Sequence, residues 1–263
     1  MADHPLELRP TIDRLWLEQE ARKDPVSHAY ALWDLERFPT TVRFVSAMRG
    51  DATVAYLLVW QPAGRPPMVH WVGAAVEELT AALPPRPLIV TGAAELRDRV
   101  EAARGPAETY PTLVQVAPVG AQPPPSPLEA HVRRLTPEDA SRIPELSEGT
   151  NEPVAVGYAG MDLESEFVLG GFDRGTLVGV ARAVVRLPSV WLVSGVYVRP
   201  SRRGQGWGLA ITREVQVEAQ ERGAPCALFV REDNLPAITV YAHLGFRTVA
   251  RRSWYDCGVH LAP

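Results

Sequence analysis

The 263-residue sequence holds only two cysteines, Cys226 and Cys257, too few for a disulfide framework and without the spacing of metal ligands. It contains no apolar run approaching the roughly 18 residues that cross a bilayer. Its first stretch, MADHPLELRPTIDRLWLEQE, mixes acids with apolar residues from the start and does not read as a secretory signal. Positive charge is not in excess either: 27 Lys and Arg stand against 31 Asp and Glu, for a formal net charge of −4. That balance excludes nucleic acid as the main partner, because such binding rests on neutralising phosphates. Lysine is nearly missing, Lys23 being the one example, so 26 of the 27 basic residues are arginine. Arginine's planar fork suits anionic ligands, but the bias itself carries no function. The absences lead us to expect a soluble, cytoplasmic protein with no metal site and with neither membrane nor nucleic acid as partner; a homodimer is compatible with them.

Hydrophobic residues at 46% and charged residues at 22% are ordinary for a globular chain. Proline is plentiful, and Pro118–Pro127 has five prolines in ten residues with almost nothing to bury. Fixed φ and missing N–H groups make that stretch an extended, semi-rigid linker. It sets expected boundaries at an amino-terminal domain of residues 1–118, a linker of 119–128 and a carboxy-terminal domain of 129–263.

In the first half, apolar spacing predicts helices over Thr11–Arg22 and Val26–Glu36. Strands follow over Thr41–Arg49, Ala52–Gln61 and Met68–Val72, with Arg49-Gly50-Asp51 as a hairpin junction. A helix over Ala74–Leu83, a strand over Pro87–Val90, a helix over Ala93–Ala103 and a β-rich run Tyr110–Ala117 complete it. In the second half, a strand over His131–Leu135 precedes a helix beginning at Thr136, with Pro137 in its first turn. Antiparallel strands are expected over Phe167–Phe172, Leu177–Arg186 and Val190–Val198. Then come a helix Leu209–Arg222 ended by Gly223, a strand Ala227–Arg231, a helix Pro236–His243 and a strand Arg247–Tyr255. Both halves share one order of elements, so the fold class is α/β (of the α+β kind), two tandem mixed sheets flanked by helices.

The richest chemistry lies in Val196-Tyr-Val-Arg-Pro-Ser-Arg-Arg-Gly-Gln-Gly-Trp-Gly-Leu209. An apolar strand ends at Val198, and a basic turn with Gly204, Gly206 and Gly208 leads straight into an amphipathic helix. Glycine lets the backbone approach a ligand without a Cβ in the way. A helix start offers unpaired N–H groups and a partial positive charge, which together make a seat for phosphate or pyrophosphate. A P-loop needs Lys then Ser or Thr after its glycines, and the dinucleotide fingerprint needs a third glycine where Leu209 stands; neither pattern is present. On the glycines alone, a turn that binds nothing stands beside the functional reading.

The spacing Arg203-x-x-Gly206-x-Gly208 between strand and helix resembles the coenzyme A-binding motif of the GNAT acyltransferase superfamily. Asn234 after the next strand, and Tyr241 seven residues later within Tyr241-Ala-His-Leu-Gly-Phe246, fit the same pattern. The resemblance covers about residues 130–258. It implies two GNAT-like sheets, of which the first is degenerate, since Val72-Gly-Ala-Ala75 has no basic residue where the phosphate turn belongs. In layout the chain is similar to glycine N-acyltransferase-like proteins, whose amino-terminal lobe roofs the acceptor site. There His70 and Trp71 are candidate pocket residues, beside the plainer reading of His70 as a satisfied strand histidine.

The resemblance implies roles by position. Val196, Tyr197 and Val198 would pair with the pantetheine amides and hold the acyl carbonyl. Arg203, Gly204, Gln205, Gly206, Trp207, Gly208 and Leu209 would hold the pyrophosphate. Asn234 would contact the pantetheine arm, and as an alternative or in addition would cap the next helix. Tyr241 would protonate the leaving thiolate, where its plainer reading is a core aromatic beside Phe246. The implied activity is direct transfer of an acyl group, acetyl first, from acetyl-CoA or another acyl-CoA to a primary amine of a small molecule or amino acid. A non-catalytic CoA sensor and a protein N-acetyltransferase are the alternatives. No general base stands out: Glu232, Asp162, Glu164 and Glu166 are candidates, each also readable as a surface carboxylate, and Ser194 could only position a water. Cys226 reads as a buried small hydrophobe rather than a nucleophile. The polar stretch Glu148–Glu166 is where the superfamily shapes its acceptor pocket.

Overall fold

The computed structural model describes residues 5–148, 150, 158 and 161–260. Two compact units emerge: Met1–Leu113 joined by Ala250–Leu261, and Val114–Val249 with Ala262–Pro263. The first contains β1 (Leu6–Arg9), α1 (Arg14–Lys23), α2 (Ala29–Arg37), β2 (Val42–Arg49), β3 (Ala52–Trp60), β4 (Met68–Gly73), β5 (Leu88–Gly92) and α3 (Arg97–Arg104). Strand β6 (Glu108–Ala117) passes from the first unit into the second. The second contains β7 (Val132–Arg134), β8 (Phe167–Asp173), β9 (Thr176–Leu187), β10 (Val190–Val198), α4 (Trp207–Glu221), β11 (Cys226–Arg231) and α5 (Leu235–His243). The last strand, β12 (Arg247–Cys257), begins in the second unit and ends in the first.

Within the first unit the strands lie in the order β1-β2-β3-β4-β5-β12, antiparallel except for the parallel pair β4–β5. The period of two in β2 and β3 sorts their side chains onto two faces. Phe44, Tyr56 and Leu58 meet Leu17 of α1 and Ala31 of α2. Val45, Ala47, Ala55, Leu57 and Val59 turn the other way, toward Leu79, Leu96 and Val100. The expected hairpin is present, with Arg49 opposite Ala52 and Gly50 at φ 60°.

Three local expectations change. Strand β1 was not foreseen: three of its four side chains are exposed, so it shows no alternation to read. The helix expected over Ala74–Leu83 contracts to a 3-10 turn, Glu77–Ala82, because Pro84 and Pro85 deny the segment further helical donors. The helix expected from Thr136 is a 3-10 turn, Pro137–Arg142, opened by a capping box between Thr136 and Asp139 and broken by Pro144. A fourth difference is tertiary. The sequence reading left the last strand in the carboxy-terminal half, but Ser253–Cys257 pair with Gly92–Leu88 of β5, and Tyr255 and Cys257 are fully buried in the first unit's core.

The second unit has the order β11-β10-β9-β8-β7, with β10–β11 parallel and the rest antiparallel. Helix α4 lies close over this sheet because glycines leave room for it. A Cβ on Gly171 would stand 2.9 Å from Trp207 and from Ile211, and one on Gly179 would stand 2.9 Å from Ile211. The proline run has no regular structure, as anticipated, but it lies inside this unit and is fastened to α4. Arg213 Nε donates to Pro124 O at 2.8 Å, and Gln220 Nε2 donates to Ala121 O. The divisions fall instead after Leu113 and after Val249.

Candidate functional site

The site is built where β10 parts from β11. The two strands pair in parallel only from Trp191–Cys226 to Val193–Leu228, although β10 continues to Val198 and β11 to Arg231. On its other edge β10 stays with β9, but the register shifts between Ser194 and Tyr197, marking a bulge at Gly195 and Val196. A bulge increases local twist and bends the strand. Gly195 takes φ 61°, and its carbonyl accepts the Tyr158 hydroxyl at 2.6 Å. A Cβ at Gly195 would lie 2.8 Å from that hydroxyl, so this position needs glycine for both conformation and space. Val196, Tyr197 and Val198 line the diverging segment and are all partly exposed.

Past Val198 the chain makes a 3-10 turn, Pro200–Arg202, and enters α4 through Gly206, whose φ of 87° makes it a left-handed N-cap without a side-chain cap. The backbone N–H groups of Gly204, Gln205, Gly206, Trp207, Gly208 and Leu209 donate to no acceptor among the described residues; the first backbone donor to be satisfied is Ala210, at Gly206 O. Residues 203–206 are exposed, while the Trp207 ring is buried and anchors the turn. A Cβ at Gly204 would meet nothing within 4 Å, and one at Gly206 would come no nearer than 3.7 Å to Leu128. The loop is therefore open space faced by six consecutive free donors at a helix start, which is the physical definition of an anion seat.

The two arginines of the turn differ. Arg202 is paired with Asp173 of β8 at 2.8 Å, so its charge is already compensated. Arg203 folds back, its Nε donating to Val198 O at 3.0 Å and its guanidinium lying 5.4 Å from the Tyr197 ring centroid. That places a cation at the junction of the strand end and the turn.

Asn234 is exposed at the start of α5, and its Oδ1 accepts the Ala237 N–H at 3.2 Å as an N-cap. Its amide nitrogen, a donor, makes no bond to a described residue. Tyr241 is 7% exposed and packs 5.9 Å from Phe246. The Leu-Gly-Phe ending has a local cause. Phe246 N–H donates to Tyr241 O at 3.0 Å and Gly245 N–H to Ala242 O at 3.1 Å, with Gly245 at φ 82°. This is a Schellman cap whose apolar contact joins Phe246 to Tyr241. Burial pushes the Tyr241 phenol up to about 12. It stays neutral and proton-bearing at any ordinary pH, and its hydroxyl has no hydrogen-bond partner among the described residues.

The carboxylates considered as bases are not gathered. Asp162 and Glu164 are exposed, Asp162 Oδ1 accepting the Glu164 N–H at 3.0 Å, and Glu166 and Glu232 are partly exposed. Residues 149, 151–157 and 159–160 of the expected acceptor region lie outside the described residues. Cys226 is fully buried, and burial raises its thiol to about 12, which removes it as a nucleophile. Sequence reasoning missed Tyr158 and Asp173; the β-bulge and the ion pair that involve them join residues too distant in the chain to leave a local pattern. Among the described residues no helix is long and apolar enough to cross a membrane, and no group of three His, Cys, Asp or Glu side chains could hold a metal ion.

The first unit repeats the layout with other contents. Its parallel pair β4–β5 runs from Met68–Ile89 to His70–Thr91 while β4 continues to Gly73. The helical turn that follows carries Glu77 and Glu78 at its start, where a phosphate would be repelled. The Trp71 carbonyl past the last pair is occupied by Arg252 Nη2 at 3.1 Å.

Residues 137–246 match the model of the acetyltransferase (GNAT) family. No curated protein matches the sequence. Among solved structures, a Drosophila protein aligns over 95% of this chain and 97% of its own, with 14% identity and a TM-score of 0.69. A GCN5-related N-acetyltransferase from Sphaerobacter thermophilus aligns over 96% of each chain at 19% identity and a TM-score of 0.61. A tandem GNAT protein from the clavulanic acid biosynthesis pathway aligns over 97% of this chain and 99% of its own at 18% identity and a TM-score of 0.59.

Proposed function

We propose, on the premise that residues 137–246 match the acetyltransferase (GNAT) family, that this chain transfers an acyl group, acetyl first, from a coenzyme A thioester directly to a primary amine of a small molecule or amino acid. The observation that carries the reading is the row of six unspent N–H donors from Gly204 to Leu209, at the mouth of a wedge between two parting parallel strands.

In this reading the donors of the turn hold the pyrophosphate, with Arg203 adding charge beside them. The edge of β10 from Val196 to Val198 aligns the pantetheine arm and offers an N–H to the acyl carbonyl. Asn234, its Oδ1 already engaged as a cap, donates its amide N–H to the arm. The acceptor amine attacks the thioester carbonyl, and the oxyanion that forms is stabilised by the strand N–H. When the C–S bond breaks, the thiolate takes the proton of Tyr241, which burial has kept on the phenol. No protein nucleophile is used, in keeping with the inert, buried Cys226. With no buried carboxylate among the named candidates, the acceptor enters as the free amine, the proton its nitrogen sheds after attack passes to water, and Tyr241 regains its own proton from solvent.

The decisive comparison is Gly206→Asp against Gly206→Asn. Both residues tolerate positive φ to a similar degree, and the open space at this position admits either side chain. Only Asp sets a negative charge against the phosphate seat. We expect G206N to retain acetyl-CoA binding in calorimetry and G206D to lose it, by about a hundredfold or more, a difference of roughly 2.7 kcal/mol. Equal affinities for acetyl-CoA would remove the site. Thiol release over a panel of amines then separates enzyme from sensor: binding without turnover on any amine supports the non-catalytic alternative.

A further inference from the structure

The bulge in β10 is held by a side chain from outside the strand pair. Ser194 stands opposite Arg182 and Tyr197 opposite Val180, so Gly195 and Val196 together fill the place that β9 gives to Ala181 alone. A glycine with left-handed φ, here 61°, is the usual first residue of such a two-for-one bulge. Pairing with β11 has already ended at Val193–Leu228. The carbonyl of Gly195 is taken instead by the Tyr158 hydroxyl, at 2.6 Å. Tyr158 is 6% exposed and packs with Leu146, Leu163, Val168 and Val180. Burial pushes its phenol up, so the proton stays on the oxygen. The Arg182 guanidinium lies 5.3 Å from the ring centroid, and a cation at that distance makes the hydroxyl a stronger donor.

Backbone geometry carries this contact to the wedge. Arg199 N–H donates to Val178 O at 2.9 Å, across the ladder from β9. Antiparallel ladders alternate every second residue, so Tyr197, opposite Val180, also turns its N–H and C=O to β9. Val196 turns its N–H the other way, to the side that β11 has left. That N–H shares a planar trans peptide with the Gly195 carbonyl, and the two point in opposite directions. Fixing the carbonyl therefore fixes the N–H. A hydrogen bond accepted at the carbonyl also polarises the amide and strengthens its donor end. Glycine leaves this peptide freer to turn than any other residue would, so a pin here has an effect it would not have elsewhere on the strand.

We propose that Tyr158 is a positioning residue for acyl transfer: through its hydrogen bond to the Gly195 carbonyl it aims and polarises the Val196 N–H at the acyl carbonyl. The proposal rests on the acyl-donor reading above and adds to it the group that sets the oxyanion donor. Negative charge grows on the acyl oxygen as the amine attacks, so the aim of that N–H counts most in the transition state. Tyr158 acts through the peptide and exchanges no proton with the substrates.

The test compares the full chain with Tyr158→Phe, which keeps the packed ring and removes only the hydroxyl. Acetyl-CoA labelled with carbon-13 at the thioester carbonyl is bound without any amine, and its carbonyl stretch is read by infrared difference spectroscopy. A hydrogen bond to the carbonyl lowers that stretch, so the band should lie lower in the wild type than in Y158F. This readout needs binding alone and serves even where no amine is turned over. With an accepted amine, kcat and kcat/KM should fall together by about tenfold or more in Y158F, a part of what deleting an oxyanion donor costs. The Kd of CoA, which has no acyl carbonyl, should stay unchanged in calorimetry. A residue that only packs would lower Tm and move neither the band nor kcat; Gly223→Ala, at the far end of α4, supplies that comparison. If Y158F does not fold, Gly195→Ala takes its place, since its Cβ would stand 2.8 Å from the hydroxyl and push it off the carbonyl. Equal bands in wild type and variant, or an unaltered kcat, would overturn the proposal and leave the donor site standing. Failure of the wild type to bind acetyl-CoA would overturn the donor site and this proposal with it.

Discussion

Tyr241 shows how one residue carries two kinds of constraint. Its ring closes the Schellman contact with Phe246, and its hydroxyl makes no hydrogen bond among the described residues. A buried phenol raised to about 12 is a poor base but a permanent donor. Tyr241→Phe keeps the ring and its packing and removes only the proton. We expect kcat to fall by about a hundredfold, within the usual range for losing a general acid, with the Kd for acetyl-CoA unchanged. An unaltered kcat in steady-state thiol release would reject the acid role. Asn234 spends its Oδ1 on the helix cap, while its amide nitrogen makes no bond to a described residue.

The elements around the site are held by repeated devices. Helices α4 and α5 both end in the same cap, Ala224 N–H to Ala219 O and Gly223 N–H to Gln220 O in one, Phe246 to Tyr241 and Gly245 to Ala242 in the other. Gly223 and Gly245 have φ of 71° and 82°, and a Cβ on either would clash with nothing. Replacing each by Ala therefore tests conformation alone, at an expected cost of about 1–2 kcal/mol, read as a lowered urea midpoint with an unchanged slope. The two variants should destabilise alike, yet only Gly245→Ala should also lower kcat, because its cap seats Tyr241. Equal activity in the two would detach the cap from the chemistry. The β10 bulge is a second such device, pinned by the Tyr158 hydroxyl at the Gly195 carbonyl.

At the scale of the whole molecule, the first unit is not continuous in sequence. It takes Ala250–Leu261 from the far end of the chain, and Tyr255 and Cys257 stand fully buried in its core. A fragment of residues 1–117 lacks that strand, leaving the edge of β5 bare and the core around Val90 and Leu88 unfilled. The fragment should show little cooperative unfolding by circular dichroism and should aggregate, while the full chain unfolds cooperatively. A soluble, cooperatively folded fragment would contradict the assignment of the strand.

The strands β2, β3, β8, β9 and β10 were readable in the chain because each contains a run of consecutive buried residues, mostly apolar, and the turns at Gly50 and Gly175 because positive φ selects glycine. The turn before α4 was legible for the same reason, Gly204 and Gly206 both taking positive φ. Local sequence also determined the ends of α4 and α5, and it foretold an extended proline run. It could not say that this run is fastened to α4, that the last strand completes the first unit, that Arg202 is neutralised by Asp173, or that Arg252 donates to the Trp71 carbonyl. Those facts belong to residues brought together from distant parts of the chain, and pairing across such distances is decided by packing and desolvation, which only the folded arrangement sets.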